Sequence, residues 1–505
     1  VTGVPTVIGL DIGTTSAKAG AFDADGRQTG ATEVPYPLLE PRPGRAVQDP
    51  AVVADAALAA ARGALAAARA AGTAVAGLAI SSAMHSLVGV GAGGAPVTDL
   101  VTWADRRAAA QAERLRREHP HLHGITGTPL HPMSPLAKLV WFAECEPQTC
   151  DRVARWCGIK ELVVHRLTGA WLTDGSMASG TGLMRLATLD YDDEALAVAG
   201  VRREQLCPIA PTKHTMSLSA AGAAALGVAG DLPLVLGAGD GPLANVGVGA
   251  VRPGVAACSI GTSGALRLMV ERPVVDERGR IFCYMLSEGR WVVGGAINNG
   301  GAVLQWAGAA LAPDLGDGQG GVDERALMDV AARAPAGSDA LVMLPYLLSE
   351  RAPHWSTLPR GAYVGLTRAH RREHLVRAAL EGVCQQLALV LASLADAGND
   401  VREIRATGGF ARSALWRQML CDVLGRDVGF PAGHQGSAFG AALLGMEALG
   451  LVASFDRAAE LIGLGEVRSP HPTAAATYAA MQPVFAGLYD ALGPAFAQLR
   501  ALADR

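Results

Sequence analysis

The stretch "IGLDIGTTSAKAG" (residues 8–20) has a counterpart in the second half of the chain, "VAACSIGTSGALRLMV" (residues 255–270). Each reads as an apolar strand, a glycine turn carrying two hydroxyl residues, and a second strand. A turn of this composition serves a plain β-hairpin, because glycine relieves backbone strain and Asp or Thr side chains bond nearby backbone. It also serves as a phosphate cradle, with N–H and hydroxyl groups facing the anion while Asp11 addresses a metal ion. Two such turns, one near the start of each half, predict an internal duplication with "GVGAVRPG" (residues 247–254) at the join. At 505 residues the chain exceeds one hydrophobic core, so two or three domains are expected.

The elements around these turns alternate. Strands are predicted over 7–12 and 17–22, then a hairpin turn at Asp25-Gly26 and a third strand. An alanine-rich stretch over 51–71, broken by Arg62 and Arg69, predicts an amphipathic helix rather than a membrane span. A buried strand is predicted through 75–90, with helices over 106–118 and 135–144. Later come a core helix over 374–394 and a third glycine turn, "IRATGGFARSALWRQML", leading into a helix over 413–420. Alternating strands and helices with this repeat predict an α/β chain with two domains facing a cleft, residues 1–249 and 250–505.

Several chemistries are excluded or weakened. A formal charge of −4, with 18% charged residues, gives no basic surplus for nucleic acid. Eight cysteines without a CxxC pair form neither a disulfide framework nor a zinc site. No basic region followed by a signal-type apolar run opens the sequence, so a cytoplasmic enzyme without membrane attachment is expected. Gly-Lys never occurs, which removes a P-loop. "GVGAGG" (residues 89–94) follows a strand but precedes no helix, so it reads as a surface turn rather than a dinucleotide site. "HPHLHG" places His119, His121 and His123 at alternate positions, with no cysteine close in sequence. Pro120 and the neighbouring charged helix favour a surface turn over a metal site.

"VLGAGDGPLANVGVGA" delivers Asp240 from a hydrophobic strand into glycines and an apolar helix. Transfer of a phosphoryl group to an alcohol needs one carboxylate near Mg²⁺ and another to accept the hydroxyl proton. Asp11 and Asp240 supply that pair. Together with "DIGTTSAK", "MSPLAKLVWFAE", "GAGDG", "SIGTSGA", "NNGGAVLQW", "GAYVGLTRAHRREHLVRAALEG" and "ATGGFARSALWRQML", in that order, the chain resembles the FGGY carbohydrate kinases from about Ile8 onward. One departure is Cys145, where the family usually has a polar residue.

The resemblance implies two actin-like (ribonuclease H-like) domains with a catalytic cleft between them, and ATP with Mg²⁺ as cofactors. It implies that Asp11, Thr14, Thr15 and Lys18 form the first phosphate loop, and Gly261, Thr262 and Ser263 the second. Gly300 and Gly301 would border the nucleotide, and Gly408, Gly409 and Ser413 would let the backbone approach adenosine. Asp240 would be the general base, with Asp11 and Asp240 both addressing the metal.

On the substrate side the resemblance implies Met84, His85 and Asp105. The words "SSAMHS", "TWADRRA", "GTPLHPMSPLAK", "GIKE" and "IGTSGALR" look most like the gluconokinase branch. Xylulokinases typically carry glutamine where Ala83 stands. The implied substrate is D-gluconate, phosphorylated at O6, and its carboxylate needs a cation. Arg106, His131, Lys160 and Arg267 are the candidates. A xylulokinase or another pentulose or polyol kinase is the alternative, and an actin-like switch ATPase or a sugar-binding pseudokinase stands further off. A homodimer is compatible with the sequence but not specified by it.

Overall fold

The computed structural model describes residues 4–316, 322–432 and 436–503. Its first sheet is built from β1 (Pro5–Ile12), β2 (Ser16–Asp23), β3 (Gln28–Pro35), β4 (Ala74–Ser82) and β5 (Leu234–Gly239). β1 and β2 form an antiparallel hairpin, β3 extends it, and β4 and β5 add parallel to β1 on its other side. A two-residue strand, Thr215–Met216, closes the edge beyond β5.

The second sheet repeats this plan. β6 (Val255–Ile260) and β7 (Gly264–Val270) form the hairpin, and β8 (Phe282–Ser287) and β9 (Arg290–Ile297) extend it. β10 (Glu403–Thr407) and β11 (Val428–Pro431) add in parallel, and β12 (Leu464–Arg468) closes that edge. The duplication expected from the two turns is therefore carried by whole sheets. Residues 248–254 connect them.

Helix α1 (Pro50–Ala70) illustrates how local sequence sets the packing. Asp49 caps it, accepting from the amides of Ala51 and Val52, and a proline occupies its first turn. Its buried face is almost entirely alanine, so the helix lies close on β2 and β3. A Cβ at Gly30 would meet the Ala67 methyl at 2.8 Å. Together with Arg372–Asp396, α1 is long and apolar enough to span a bilayer. Both helices instead pack against other elements of the chain, and most of the apolar part of Arg372–Asp396 is buried there.

The strand expected to run through 75–90 does not. β4 stops at Ser82, His85 takes φ of 67°, and extended chain resumes only at Val88–Val90, paired elsewhere with Arg155–Cys157. In a straight strand Met84 and His85 would point to opposite faces. The turn brings both into one cavity.

Two helices cross between the sheets. α2 (Asp240–Gly247) follows β5, and α3 (Gly436–Ala448) packs on β1 and β4 although it belongs to the second half of the chain. The contact is made through glycine. A Cβ at Gly440 would lie 2.3 Å from the Leu243 carbonyl oxygen, one at Gly247 2.2 Å from that of Gly436, and one at Gly9 1.8 Å from that of Ala438.

Candidate active site

The two hydroxyl turns are held by their carbonyls. In the first, Gly13 O accepts from the Tyr36 hydroxyl at 2.7 Å, Thr14 O from Gln48 Nε2 at 2.8 Å, and Thr15 O from the Tyr36 amide at 3.0 Å. In the second, Gly261 O accepts from the Gly301 amide at 2.6 Å, and Thr262 O from the amides of Gly300 and Ala302 at 3.1 Å each. Anchoring a turn by its carbonyls turns its amides and hydroxyls toward a ligand, the arrangement that backbone anion sites use. Gly300 is required sterically, since a Cβ there would lie 2.7 Å from Ser263 backbone atoms. Gly408 is required twice over: its φ is 114°, and a Cβ would meet Ile260 O at 2.2 Å.

Asp11 and Asp240 stand at the ends of parallel strands with β4 between them, where Asp11 pairs with Ser81 and Gly239 with Ser82. Ligands of α/β sheets gather outside these strand ends. Ser81 Oγ donates to Asp11 at 2.7 Å. Burial, and then the Asp240 charge, push the Asp11 carboxyl up to about 6. Asp240 opens α2 and accepts from the Gly241 amide at 2.7 Å. Burial also raises its pKa, opposed by Arg267, by the Gly241 amide and by the backbone at Met84. A carboxylate whose pKa is raised by the charge of a second one beside it marks a site that gains by receiving a cation.

Two cavities meet at the second turn. The larger, about 720 Å³, includes Gly261, Thr262, Gly301, Gly409 and Ser413 in its lining, with Phe410 and Trp416 as apolar walls. Ser413 also caps the helix Ala414–Leu424 through the Trp416 amide. The smaller, about 260 Å³, is lined from the first half by Thr14, Met84, His85, Trp103 and Asp240, and from the second by Ser263, Arg267, Tyr284 and Arg351.

His85 Nδ1 lies 2.8 Å from Gly180 O. A carbonyl only accepts, so Nδ1 carries the proton and Nε2 is left as an acceptor. Burial holds the ring neutral, with its pKa pushed down to about 3. Trp103 Nε1 donates to Thr14 Oγ1 at 2.9 Å.

Four residues expected to hold substrate lie elsewhere. The Asp105 carboxylate is buried, with both oxygens engaged by Arg107 and one also by the Ala46 amide. Those bonds outweigh its burial and lower its pKa. It organises the segment that presents Trp103. The Arg106 side chain is exposed, outside the cavity.

Lys160 Nζ is buried against Asp174 at 2.6 Å and Ala238 O at 3.3 Å, beneath the end of β5. Asp174 orders Ser176, whose hydroxyl accepts from the Gly239 amide, so this pair braces the corner that delivers Asp240. His131 is buried beside Trp355 and does not line the cavity. Thr15 and Lys18 are exposed outside both cavities, Lys18 pairing with Glu33 at 3.3 Å.

Sequence reasoning missed Trp103, Tyr284, Arg351 and Lys138. The last was visible as the lysine of "MSPLAK": its buried ammonium donates to the His85 carbonyl and reaches Val101 O at 3.5 Å, holding the Met84–His85 turn. Of the histidines of "HPHLHG", His121 and His123 lie on a short helix, His121–Thr126, while His119 ends the helix before it; the fold brings Glu194 to His121 at 2.7 Å.

The loop after Arg351 supplies a pH test. His354 stacks on Tyr489 at 3.5 Å and contacts the Tyr346 hydroxyl at 3.1 Å, and burial pushes its pKa down to about 3. A folded-state pKa below the unfolded value means that its contribution is fully present above pH 6.5. It is lost as the pH falls, because only the unfolded chain binds the proton. At pH 5 that loss is about 2 kcal/mol. His354→Phe, which keeps the stack, should therefore gain about that much relative to wild type between pH 7 and pH 5 in denaturant melts. A difference that does not change with pH would show that His354 is protonated in the folded state.

A family model for the N-terminal domain of the FGGY family of carbohydrate kinases matches residues 6–247, and its C-terminal counterpart matches residues 256–449. A gluconokinase of Bacillus subtilis (strain 168) is 38% identical over 500 residues, covering 98% of this chain and 97% of the relative. A solved gluconate kinase from Lactobacillus acidophilus superposes with a TM-score of 0.92 at 33% identity, covering 98% of this chain and 99% of that one. A ligand-bound xylulose kinase from the same organism superposes with the same TM-score and identity, covering 98% and 100%.

Proposed function

The chain belongs to the FGGY family of carbohydrate kinases, and we propose that it transfers the γ-phosphoryl group of ATP to O6 of D-gluconate. The observation that carries this reading is the composition of the smaller cavity. A carboxylate base, a neutral histidine acceptor and two guanidinium groups converge there, between hydroxyl turns from both halves. A neutral sugar needs the first two. An acid needs the cations as well.

In this reading the nucleotide lies in the larger cavity, with adenosine against Phe410 and Trp416 and its phosphates toward the second turn. Asp11 and Asp240 would hold Mg²⁺, whose oxygen preference suits paired carboxylates and phosphate. The ion would neutralise charge on the transferring group. Asp240 accepts the proton of the attacking hydroxyl, and the Gly241 amide and the Met84 backbone keep its carboxylate aimed. His85 Nε2 accepts from a sugar hydroxyl, and Trp103 covers the carbon chain. Closing the halves around these groups excludes water, which would compete with the sugar for the phosphoryl group.

The superposed xylulose kinase favours a second reading, a pentulose kinase on the same framework. A coupled ADP-release assay over D-gluconate, D-xylulose, glycerol and sorbitol separates the two. One charge-assisted contact is worth roughly 1.5–3 kcal/mol, so kcat/KM for gluconate should exceed that for the neutral substrates by about tenfold to over a hundredfold. Equal or better turnover of xylulose would replace the gluconate assignment and leave the kinase fold untouched.

A further inference from the structure

Arg351 lies in "LLSERAPHW", a segment without periodicity or motif, yet its side chain lines the sugar cavity. The residue is 9% exposed. Its guanidinium carbon sits 4.7 Å from the centre of the Trp103 ring, and one terminal nitrogen donates to Ile297 O at 3.0 Å. Its Nε is buried without a partner.

The neighbouring carboxylate is the largest charge acting on the guanidinium, but it makes no hydrogen bond to it. Glu350 accepts from the Asn298 amide at 2.7 Å, from Asn299 Nδ2 at 2.8 Å and from the Arg351 amide at 2.7 Å, all groups other than the guanidinium. Among the described residues Arg351 forms no ion pair. A buried charge is costly unless an opposite charge meets it, so a guanidinium left in this state is placed for an anion that arrives with the ligand.

Arg267 is the other cation of the cavity, and its position differs. Its Nε lies 3.7 Å from where a Cβ on Gly241 would stand, directly beside Asp240. Arg267 is the largest charge acting on Asp240, whereas Arg351 is the weakest of the recorded influences on it. Arg267 therefore belongs to the phosphoryl-transfer end. Arg351 lies against Trp103, with Tyr284 near it and Asp240 the weakest of the charges acting on it, which leaves it as the cation for the end of a six-carbon chain opposite O6.

We propose that Arg351, stacked on Trp103, seats the carboxylate of the substrate and so selects sugar acids over neutral sugars. The inference rests on the sugar-acid reading above and names the residue behind it. Trp103 comes from the first half of the chain and Arg351 from the second, so the seat is complete only when the two halves stand together.

The test is steady-state kinetics of full-length wild type, Arg351→Gln, Arg351→Lys and Arg267→Gln with D-gluconate, sorbitol and ATP. For Arg351→Gln, KM for gluconate should rise about tenfold to a hundredfold, with kcat within a few-fold and KM for ATP unchanged. The gluconate-to-sorbitol ratio of kcat/KM should fall by the same factor. Arg351→Lys should restore part of the loss, as a point charge lacking the planar fork. The upward shift in Tm that gluconate gives the wild type should shrink in Arg351→Gln, a readout independent of turnover. A wild type that prefers gluconate, alongside an Arg351→Gln variant that keeps the preference, would overturn the proposal. A KM-specific loss confined to Arg267→Gln would move the seat to Arg267. Absence of any gluconate preference in the wild type would instead remove the sugar-acid reading, and this proposal with it.

Discussion

Asp240→Asn is expected to lose about 10²–10⁴ in kcat, the usual scale for a positioned general base. Asparagine keeps the shape and the hydrogen bond from the Gly241 amide, but it cannot take a proton from the attacking hydroxyl. The carboxylate is a poor guest where it stands, since burial raises its pKa and its charge raises that of Asp11. Neutralising it relieves that burial but takes from the buried Arg267 its largest opposing charge, so the two effects on Tm oppose each other, while Asp11 regains a more ordinary carboxylate pKa. Substrate KM should move less than kcat, because the amide still bonds the ground-state hydroxyl. The measurement is kcat and KM for gluconate with a thermal melt of the same preparation. A variant that melts normally and keeps kcat within a few-fold of wild type would take Asp240 out of the proton transfer.

The parts of the site legible in the sequence were those that backbone chemistry writes locally. A strand, a glycine turn and hydroxyl residues announce themselves within ten letters, and both turns stand where that pattern placed them. Asp240 was legible for the same reason, as an acid at a strand-to-helix corner. Long cationic side chains were not, because their direction depends on partners distant in sequence. Lys160 is committed to Asp174 and Asp105 to Arg107, and neither pairing leaves any mark in the spacing of the residues. Arg351 was invisible because its segment is placed by the two asparagines of "NNGG". Asn299 accepts from the Leu348 amide, and both asparagines bond Glu350. The resemblance marks that motif as a nucleotide border, and its asparagines also hold the segment that carries Arg351 into the sugar cavity. The strand that stopped at Ser82 failed for a related reason. Periodicity reported burial, but not the need for two successive residues to face one cavity.

Gly440→Val is expected to destabilise the protein by about 3 kcal/mol and to lower kcat together with it. Gly440 lies inside α3, where helix propensity alone would favour replacing it, by about 1 kcal/mol for Ala and less for Val. Against this stands the crossing of α3 and α2. A Cβ at Gly440 would sit 2.3 Å from the Leu243 carbonyl oxygen, a backbone atom that cannot rotate aside. Overpacking typically costs 1–3 kcal/mol, and here relief requires moving a helix. That helix begins with Asp240, whose carbonyl also accepts from Ser437 Oγ of α3 at 3.2 Å. Pushing α2 away shifts the general base relative to the Gly241 and Met84 groups that aim it, and displacements near 1 Å cost about 10² in rate. The sign of Gly440→Ala decides between the two effects: stabilisation if propensity governs, destabilisation if the backbone contact does. Denaturant melts of both variants, with kcat measured at a temperature where each is fully folded, provide the check. An alanine variant as stable and as active as wild type would mean that the helices do not approach through this glycine.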